Sequence, residues 1–150
     1  MILAIFVAIM MLGKHAARFL EISYKEDATK QHYRRAKNFA LSVLSKDPRK
    51  WDKKLEAALF KSESEGTEFV LKHNLASFYC GTASARTAER GGTVQGILFS
   101  EPAHYPNTDI IKAPEIIEGS RNMVAVGAGL IFQESTANGM NQFKDTWDMA

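Results

Sequence analysis

The stretch Gly91 to Asn107, GGTVQGILFSEPAHYPN, carries the clearest sign of the fold class. A glycine pair leads into Val94 to Phe99, an apolar run of strand length that ends on Ser100 and Glu101, and a loop opens at Pro102. An apolar core such as ILF, with no polar alternation, reads as a strand buried on both faces, as in a parallel sheet. The hydroxyl of Ser100 and the carboxylate of Glu101 then stand at the carboxyl edge of that sheet, where open α/β folds bind their ligands. Further along, Met123 to Gln133 supplies a second apolar run, interrupted by Gly127 and Gly129. It too ends on polar residues, Glu134-Ser135-Thr136-Ala137-Asn138-Gly139, whose short side chains can bond a phosphate or a neighbouring carboxylate.

Upstream, Met1 to Leu12 (MILAIFVAIMML) is an unbroken apolar run. It is too short to cross a bilayer, which takes about 20 apolar residues, and no charge precedes it as in a signal peptide. A helix buried on all sides and closed by Gly13 as a C-cap is expected, with a targeting segment as the alternative. Arg18 to Ser23 reads as a strand. Ser23 and Glu26 have capping-box spacing, so a helix should begin near Tyr24. Ala36, Phe39, Ala40, Val43 and Leu44 form its apolar stripe, Lys30, Arg34, Arg35 and Lys37 a solvated face, and Pro48 its end.

Arg49 to Gly66 is charged, with a weak helical pattern through Trp51, Leu55, Ala58 and Leu59, and is placed as a surface excursion. Glu68 to Lys72 and Leu75 to Cys80 predict a hairpin turning at Asn74. Gly81 to Gly92 is expected to be a loop, as is the segment carrying Pro102, Pro106 and Pro114. A final helix should lie within Thr136 to Ala150, with Phe143 and Trp147 one turn apart. Strands alternating with helices give an α/β sheet with a parallel core.

Composition sets the outer bounds. At 150 residues, 45% hydrophobic and 24% charged, the chain has the make-up of one globular domain. Nineteen basic and 17 acidic side chains leave a net charge of +2, which by itself calls for no nucleic acid. Cys80 stands alone, so no internal disulfide forms, and it reads as a small buried hydrophobe. His15, His32, His73 and His104 lack metal-ligand spacing, and His104, Tyr105 and Asn107 read as loop packing.

An apolar strand ending in an acid is a Walker B arrangement, in which acidic residues hold Mg²⁺ and orient the attacking water in P-loop ATPases. RGGTVQ, ILFSE, PAHYPN and IFQESTANG, in that order and separation, resemble the ATPase domain of the large terminase subunit of tailed bacteriophages. ISYKEDATKQHYRRAK resembles that family's strand and helix after its first helix, and FVLKHNLASFYCGTASA resembles its hairpin leading to an Arg-Gly loop. The resemblance covers nearly the whole chain and implies a P-loop NTPase-like fold of the RecA/ASCE type, mostly parallel and flanked by helices. It further implies ATP and Mg²⁺ as cofactors. Glu101 would be the catalytic glutamate, Ser100 and Glu101 would stand on the magnesium side, and Ser135, Thr136, Ala137 and Asn138 would form the coupling motif next to the nucleotide. Arg90 is similar in position to an arginine finger, with Arg86 in the same loop as the other candidate. Serine in place of an aspartate at position 100 removes one anionic Mg²⁺ ligand.

The function the resemblance implies is a motor that hydrolyses ATP to drive double-stranded viral DNA into the procapsid. Its implied partners are the portal protein, the small terminase subunit and further copies of the full-length protein in a ring, with no membrane. Its implied location is the host cytoplasm, docked transiently on the portal. One part of the pattern is not found. A phosphate loop needs Gly-x-x-x-x-Gly-Lys followed by Ser or Thr. At Gly13-Lys14 the first glycine would fall at Ala8 and the last residue at His15. The chain is therefore expected to be an incomplete ATPase domain over residues 1 to 150, inactive alone and without nuclease residues. A non-catalytic module that binds portal, small subunit or DNA is the competing expectation, and a small membrane-anchored protein a third.

Overall fold

The computed structural model describes residues 1–44, 53–64, 66–83, 92–108, 110, 112–136, 138–139 and 142–149. Pro48, Trp51, Arg86, Arg90 and Ala137 therefore lie outside the described residues. The elements run α1 (Ile2–Leu12), β1 (Arg18–Ser23), α2 (Glu26–Leu44), α3 (Lys53–Leu59), β2 (Phe60–Ser64), β3 (Glu68–Leu71), β4 (Ser77–Thr82), β5 (Gly96–Ser100), α4 (Ala113–Arg121), β6 (Leu130–Glu134) and α5 (Gln142–Met149), with a 3-10 turn at Pro102–His104. Six strands form one sheet in the order β2-β3-β4-β1-β5-β6. β4, β1, β5 and β6 are parallel, and β2 and β3 extend the sheet antiparallel from β4.

Strand alternation sorts the core into two layers. Phe19, Phe78 and Leu98 join Phe6 and Met10 of α1 and Tyr33, Ala36 and Ala40 of α2 on one face. Leu20, Ile22, Ile97 and Phe99 meet Tyr105 and Ile117 on the other. Gly96 makes room for the first layer, because a Cβ there would lie 2.7 Å from Phe19 and 3.0 Å from Phe6, whose rings stack at 4.5 Å.

β1 forms over Arg18–Ser23 as expected, and the hairpin joins β3 to β4. Asn74 organises its turn: its Oδ1 accepts from the Ala76 amide at 3.0 Å, and its Nδ2 donates to the carbonyls of Met10 and Gly13 at 2.8 Å. Leu75 takes the left-handed conformation there, with φ 61°. Cys80 is buried in β4, and the terminal helix forms as α5.

Other expectations are corrected. α1 is buried along Leu3, Phe6, Val7 and Met10 only, and Ile5, Ile9 and Leu12 are exposed. Gly13 caps it by donating to the Ile9 carbonyl at 2.9 Å with an ordinary φ of −69°. Glycine suits that place because a Cβ would come within 2.8 Å of the same carbonyl oxygen. The Ser23–Glu26 capping box does not form; α2 starts at Glu26, and the Ser23 hydroxyl donates to Glu21 Oε1. The buried stripe of α2 runs through Thr29, Tyr33, Ala36, Lys37, Ala40 and Leu41, while Phe39, Val43 and Leu44 are exposed. Lys37 leaves the expected solvated face because Glu56 and Glu63 bind its ammonium. β4 continues through Gly81 and Thr82, where a loop was expected, and the second apolar run is a strand only from Leu130. Strand β2 and helix α4 appear where only surface chain or loop was expected.

β6 is the outermost strand on its side among the described residues, with Leu130 and Ile131 41% and 44% exposed. No helix of the described residues is long and apolar enough to cross a membrane.

Candidate functional site

The parallel strands end together. By register, Thr82, Ser23, Ser100 and Glu134 stand side by side across β4, β1, β5 and β6. Thr82 meets Thr29 of α2, hydroxyl to hydroxyl, at 2.7 Å, and the Ser100 hydroxyl, nearly buried, donates to Glu134 Oε1 at 3.5 Å. The chain then turns sharply. Glu101 adopts φ 57° and ψ 47°, a left-handed conformation that costs a non-glycine residue about 1 kcal/mol or more. Two backbone bonds hold it there: its amide donates to the Glu134 carbonyl at 2.7 Å, and its carbonyl accepts from the His104 amide at 2.9 Å. Pro102 follows at the start of the 3-10 turn, where its missing N–H is no loss.

The Glu101 side chain points into the segment that follows β6. Its Oε2 accepts from the Thr136 amide at 2.8 Å, the Thr136 hydroxyl at 2.9 Å and the Ser135 hydroxyl at 3.1 Å. Oε1 has no hydrogen-bond partner among the described residues. Partial burial pushes the Glu101 carboxyl up, but the Thr136 amide, the Thr136 and Ser135 hydroxyls and His104 outweigh it and hold the group below its ordinary range. A second set of bonds ties the same two segments together. The Ala103 amide donates to Ser135 Oγ at 3.2 Å, and Asn138 Nδ2 donates to the Ala103 carbonyl at 2.9 Å. The ends of β5 and β6 thus form one hydrogen-bonded corner that carries a fixed carboxylate.

Ser100, Glu101, Ser135, Thr136 and Asn138, all singled out by sequence, meet at this corner. Arg90, Arg86 and Ala137 fall outside the described residues. Among those described there is no group of three or more His, Cys, Asp or Glu side chains that could hold a metal alone. The oxygens present fit the lesser demand of Mg²⁺, which keeps several waters and takes one or two carboxylates besides phosphate. Ser100 Oγ and Glu134 Oε1 lie together at the strand ends, and Glu101 has one oxygen that no described residue bonds.

Two residues here, His104 and Glu21, were missed from sequence as site residues, and Glu134 was read only as part of the polar run after the second apolar stretch. Glu134 adds a carboxylate beside Ser100. His104 brings Nε2 to 3.0 Å from Thr136 Oγ1 and 3.8 Å from Glu101 Oε2. Tyr105, expected as loop packing, is just that: buried, its hydroxyl donates to the Ile22 carbonyl at 2.5 Å, and burial pushes its ionisation far up. Beneath the edge row lies Glu21, fully buried in β1, with Oε1 2.8 Å from His32 Nδ1 and Oε2 without a partner among the described residues. Burial, with Glu21 beside it, pushes the Cys80 thiol well above its ordinary range. The signal for Glu21 was its position, a lone acid within the apolar strand Phe19 to Ile22.

No family model matches the sequence, and no curated protein does. Among solved structures, the chain is similar to the large terminase of bacteriophage HK97, at 14% identity and a TM-score of 0.65, over 99% of this chain and 29% of that one. The large terminase ATPase domain of Thermus phage P74-26 matches at 15% identity and a TM-score of 0.62, over 95% of this chain and 56% of that one. The large terminase of a thermophilic bacteriophage matches at 15% identity and a TM-score of 0.56, over 87% of this chain and 29% of that one. The fold is therefore that of phage large terminase ATPase domains, and the chain spans less than two thirds of the length of each.

Proposed function

We propose that this chain is part of an ATP-hydrolysing motor that packages double-stranded viral DNA, and that Glu101 orients and polarises the attacking water. One observation carries the reading: the Glu101 carboxylate stands at the carboxyl edge of the parallel sheet, fixed through one oxygen by the segment after β6 and without a hydrogen-bond partner at the other among the described residues. A base must be held in place and keep a lone pair for the proton it takes. Oε1 retains that capacity, and the lowered carboxyl range keeps the group ionised at neutral pH. Bound nucleotide with Mg²⁺ supplies the reacting phosphate and the charge that offsets it. Ser100 and Glu134 would hold the metal's waters, and Arg90 would meet the phosphate of a neighbouring copy.

The large terminase of the thermophilic bacteriophage has also been solved in complex with ADP, and the likeness of fold extends nucleotide binding to this chain as a proposal. The segment Ser135 to Asn138 gives the motor its coupling element. Its bonds to Glu101 and to both peptide groups of Ala103 let a shift of one segment move the other. Portal protein, small terminase subunit, viral DNA and a ring of like subunits are the partners this reading assigns, in the host cytoplasm. Because no phosphate loop occurs within the 150 residues, the chain alone should turn ATP over negligibly: the triphosphate lacks the amides and lysine of such a loop, and charge stabilisation is usually the largest catalytic term.

The coding sequence upstream of the Met1 codon tests the reading. An in-frame Gly-x-x-x-x-Gly-Lys-Ser or Thr just ahead of α1 is expected. A stop codon, with no such loop in a neighbouring frame, would count against it.

A further inference from the structure

We propose that His104 is a positioning residue for Glu101, acting by fixing the direction in which the Thr136 hydroxyl proton points. A count of protons sets that direction. A threonine hydroxyl has one proton to give. Thr136 Oγ1 gives it to Glu101 Oε2 at 2.9 Å, so at 3.0 Å from His104 Nε2 the same oxygen is the acceptor. Nε2 therefore carries the proton, and the neutral ring is the Nε2–H tautomer with Nδ1 bare. Two donors then run in one direction, from His104 Nε2–H to Thr136 Oγ1–H to Glu101 Oε2, and each polarises the next.

The ring is held for this task. Its backbone amide closes the 3-10 turn on the Glu101 carbonyl at 2.9 Å, and its face tilts against Tyr24 with centroids 5.9 Å apart. Without the histidine donor, the Thr136 hydroxyl is free to turn toward solvent and leave Oε2 on the Thr136 amide and on the one Ser135 proton, which the Thr136 carbonyl at 3.0 Å also attracts. With it, Oε2 is saturated and the carboxylate plane is fixed, so Oε1 is the oxygen left to act. The significance of that orientation rests on Glu101 as the water-polarising group; the hydrogen-bond relay itself does not.

The test uses the chain as it stands, labelled with ¹⁵N and ¹³C and without nucleotide. Long-range ring spectra read the His104 tautomer, and the side-chain carboxyl resonance reads Glu101. At mildly alkaline pH the ring should show the Nε2–H pattern. His104→Ala and His104→Phe should move the Glu101 resonance alike, since both lack the donor although Phe keeps the ring on Tyr24. His104→Gln, whose amide N–H can reach Thr136, should restore it. The His104 side chain is 36% exposed, so all three variants should keep the fold, checked by their backbone amide spectra. An Nδ1–H ring overturns the proposal. So does a carboxyl resonance that moves in none of the variants, or that moves equally in all three. Because none of these signals needs ATP, their failure leaves the role of Glu101 standing, and loss of that role leaves the relay standing.

Discussion

The amide and the hydroxyl of Thr136 converge on a single oxygen of Glu101, at 2.8 and 2.9 Å. The two residues belong to the ends of different strands, β5 and β6, and the contact makes the carboxylate part of both. Its consequence is a carboxyl group that titrates below its ordinary range despite partial burial.

Acid should expose that dependence. A group whose folded value is lowered stabilises the fold above its unfolded value and loses that contribution as pH falls through the folded one. Wild type should thus lose stability below about pH 4, the ordinary carboxylate range. Thr136→Val removes the hydroxyl but not the amide, so it should be less stable at neutral pH by about 0.5 to 1.5 kcal/mol and have a flatter acid limb. Urea melts of both proteins across the acid range check this; parallel limbs would contradict it.

Lys37 holds two carboxylates together. The residue is 7% exposed, its ammonium bonds Glu63 at 2.5 Å and also bonds Glu56, and the Tyr33 hydroxyl donates to Glu63 at 2.6 Å. Burial pulls the Lys37 ammonium down, but the two carboxylates outweigh it and raise it overall. Burial likewise pushes Glu63 up, and its bonds to Lys37 and Tyr33 win and lower it. Lys37→Met should cost about 2 to 4 kcal/mol by leaving the acids facing each other. Glu63→Gln on that background should recover part of the loss. In wild type the Lys37 contribution should persist to alkaline pH and fade only above the ordinary lysine range, near about pH 10.4. Urea melts of the single and double variants at neutral and alkaline pH read each of these outcomes.

Two glycines should respond in opposite directions. Gly96→Ala drives a methyl group into Phe19 and Phe6 and should destabilise by about 1 to 3 kcal/mol. Gly119→Ala, in α4 with nothing within 4 Å of the added carbon, should stabilise by about 0.5 to 1 kcal/mol. Chemical denaturation of the two variants settles the pair.

Removing the ring of Phe6, fully buried and in contact with Phe19 and Phe132, should be the most damaging of these changes. Phe6→Ala should lose about 3 to 5 kcal/mol, read by the shift in the denaturation midpoint.

What could be read in the sequence follows from what burial does to a pattern. β1 and β5 were legible because interior parallel strands are apolar on both faces, and Glu101 was legible because it ends one of them. β2 was not, since Lys61 to Ser64 are exposed at the sheet edge, where polar residues guard against further pairing and leave no alternation to see. α4 was hidden by Pro114 and Gly119, although a proline in the first turn is itself a helix-start signal. The Ser23 cap failed because its hydroxyl found a buried carboxylate two residues back, a contact no spacing rule contains. His104 looked like a loop residue because its partner, Thr136, lies 32 positions away and is brought near only by the pairing of β5 with β6.

Whether Glu101 polarises the attacking water is decided by ATP hydrolysis in a protein with a terminase phosphate-loop strand joined ahead of Met1, compared with its Glu101→Gln form and with the unextended chain. Mg²⁺-dependent turnover is expected in the extended protein, with a fall of about 10² to 10⁴-fold in Glu101→Gln while nucleotide still binds, and negligible turnover in the unextended chain. Equal hydrolysis by the Glu101→Gln form, or robust turnover without the loop, would contradict that role.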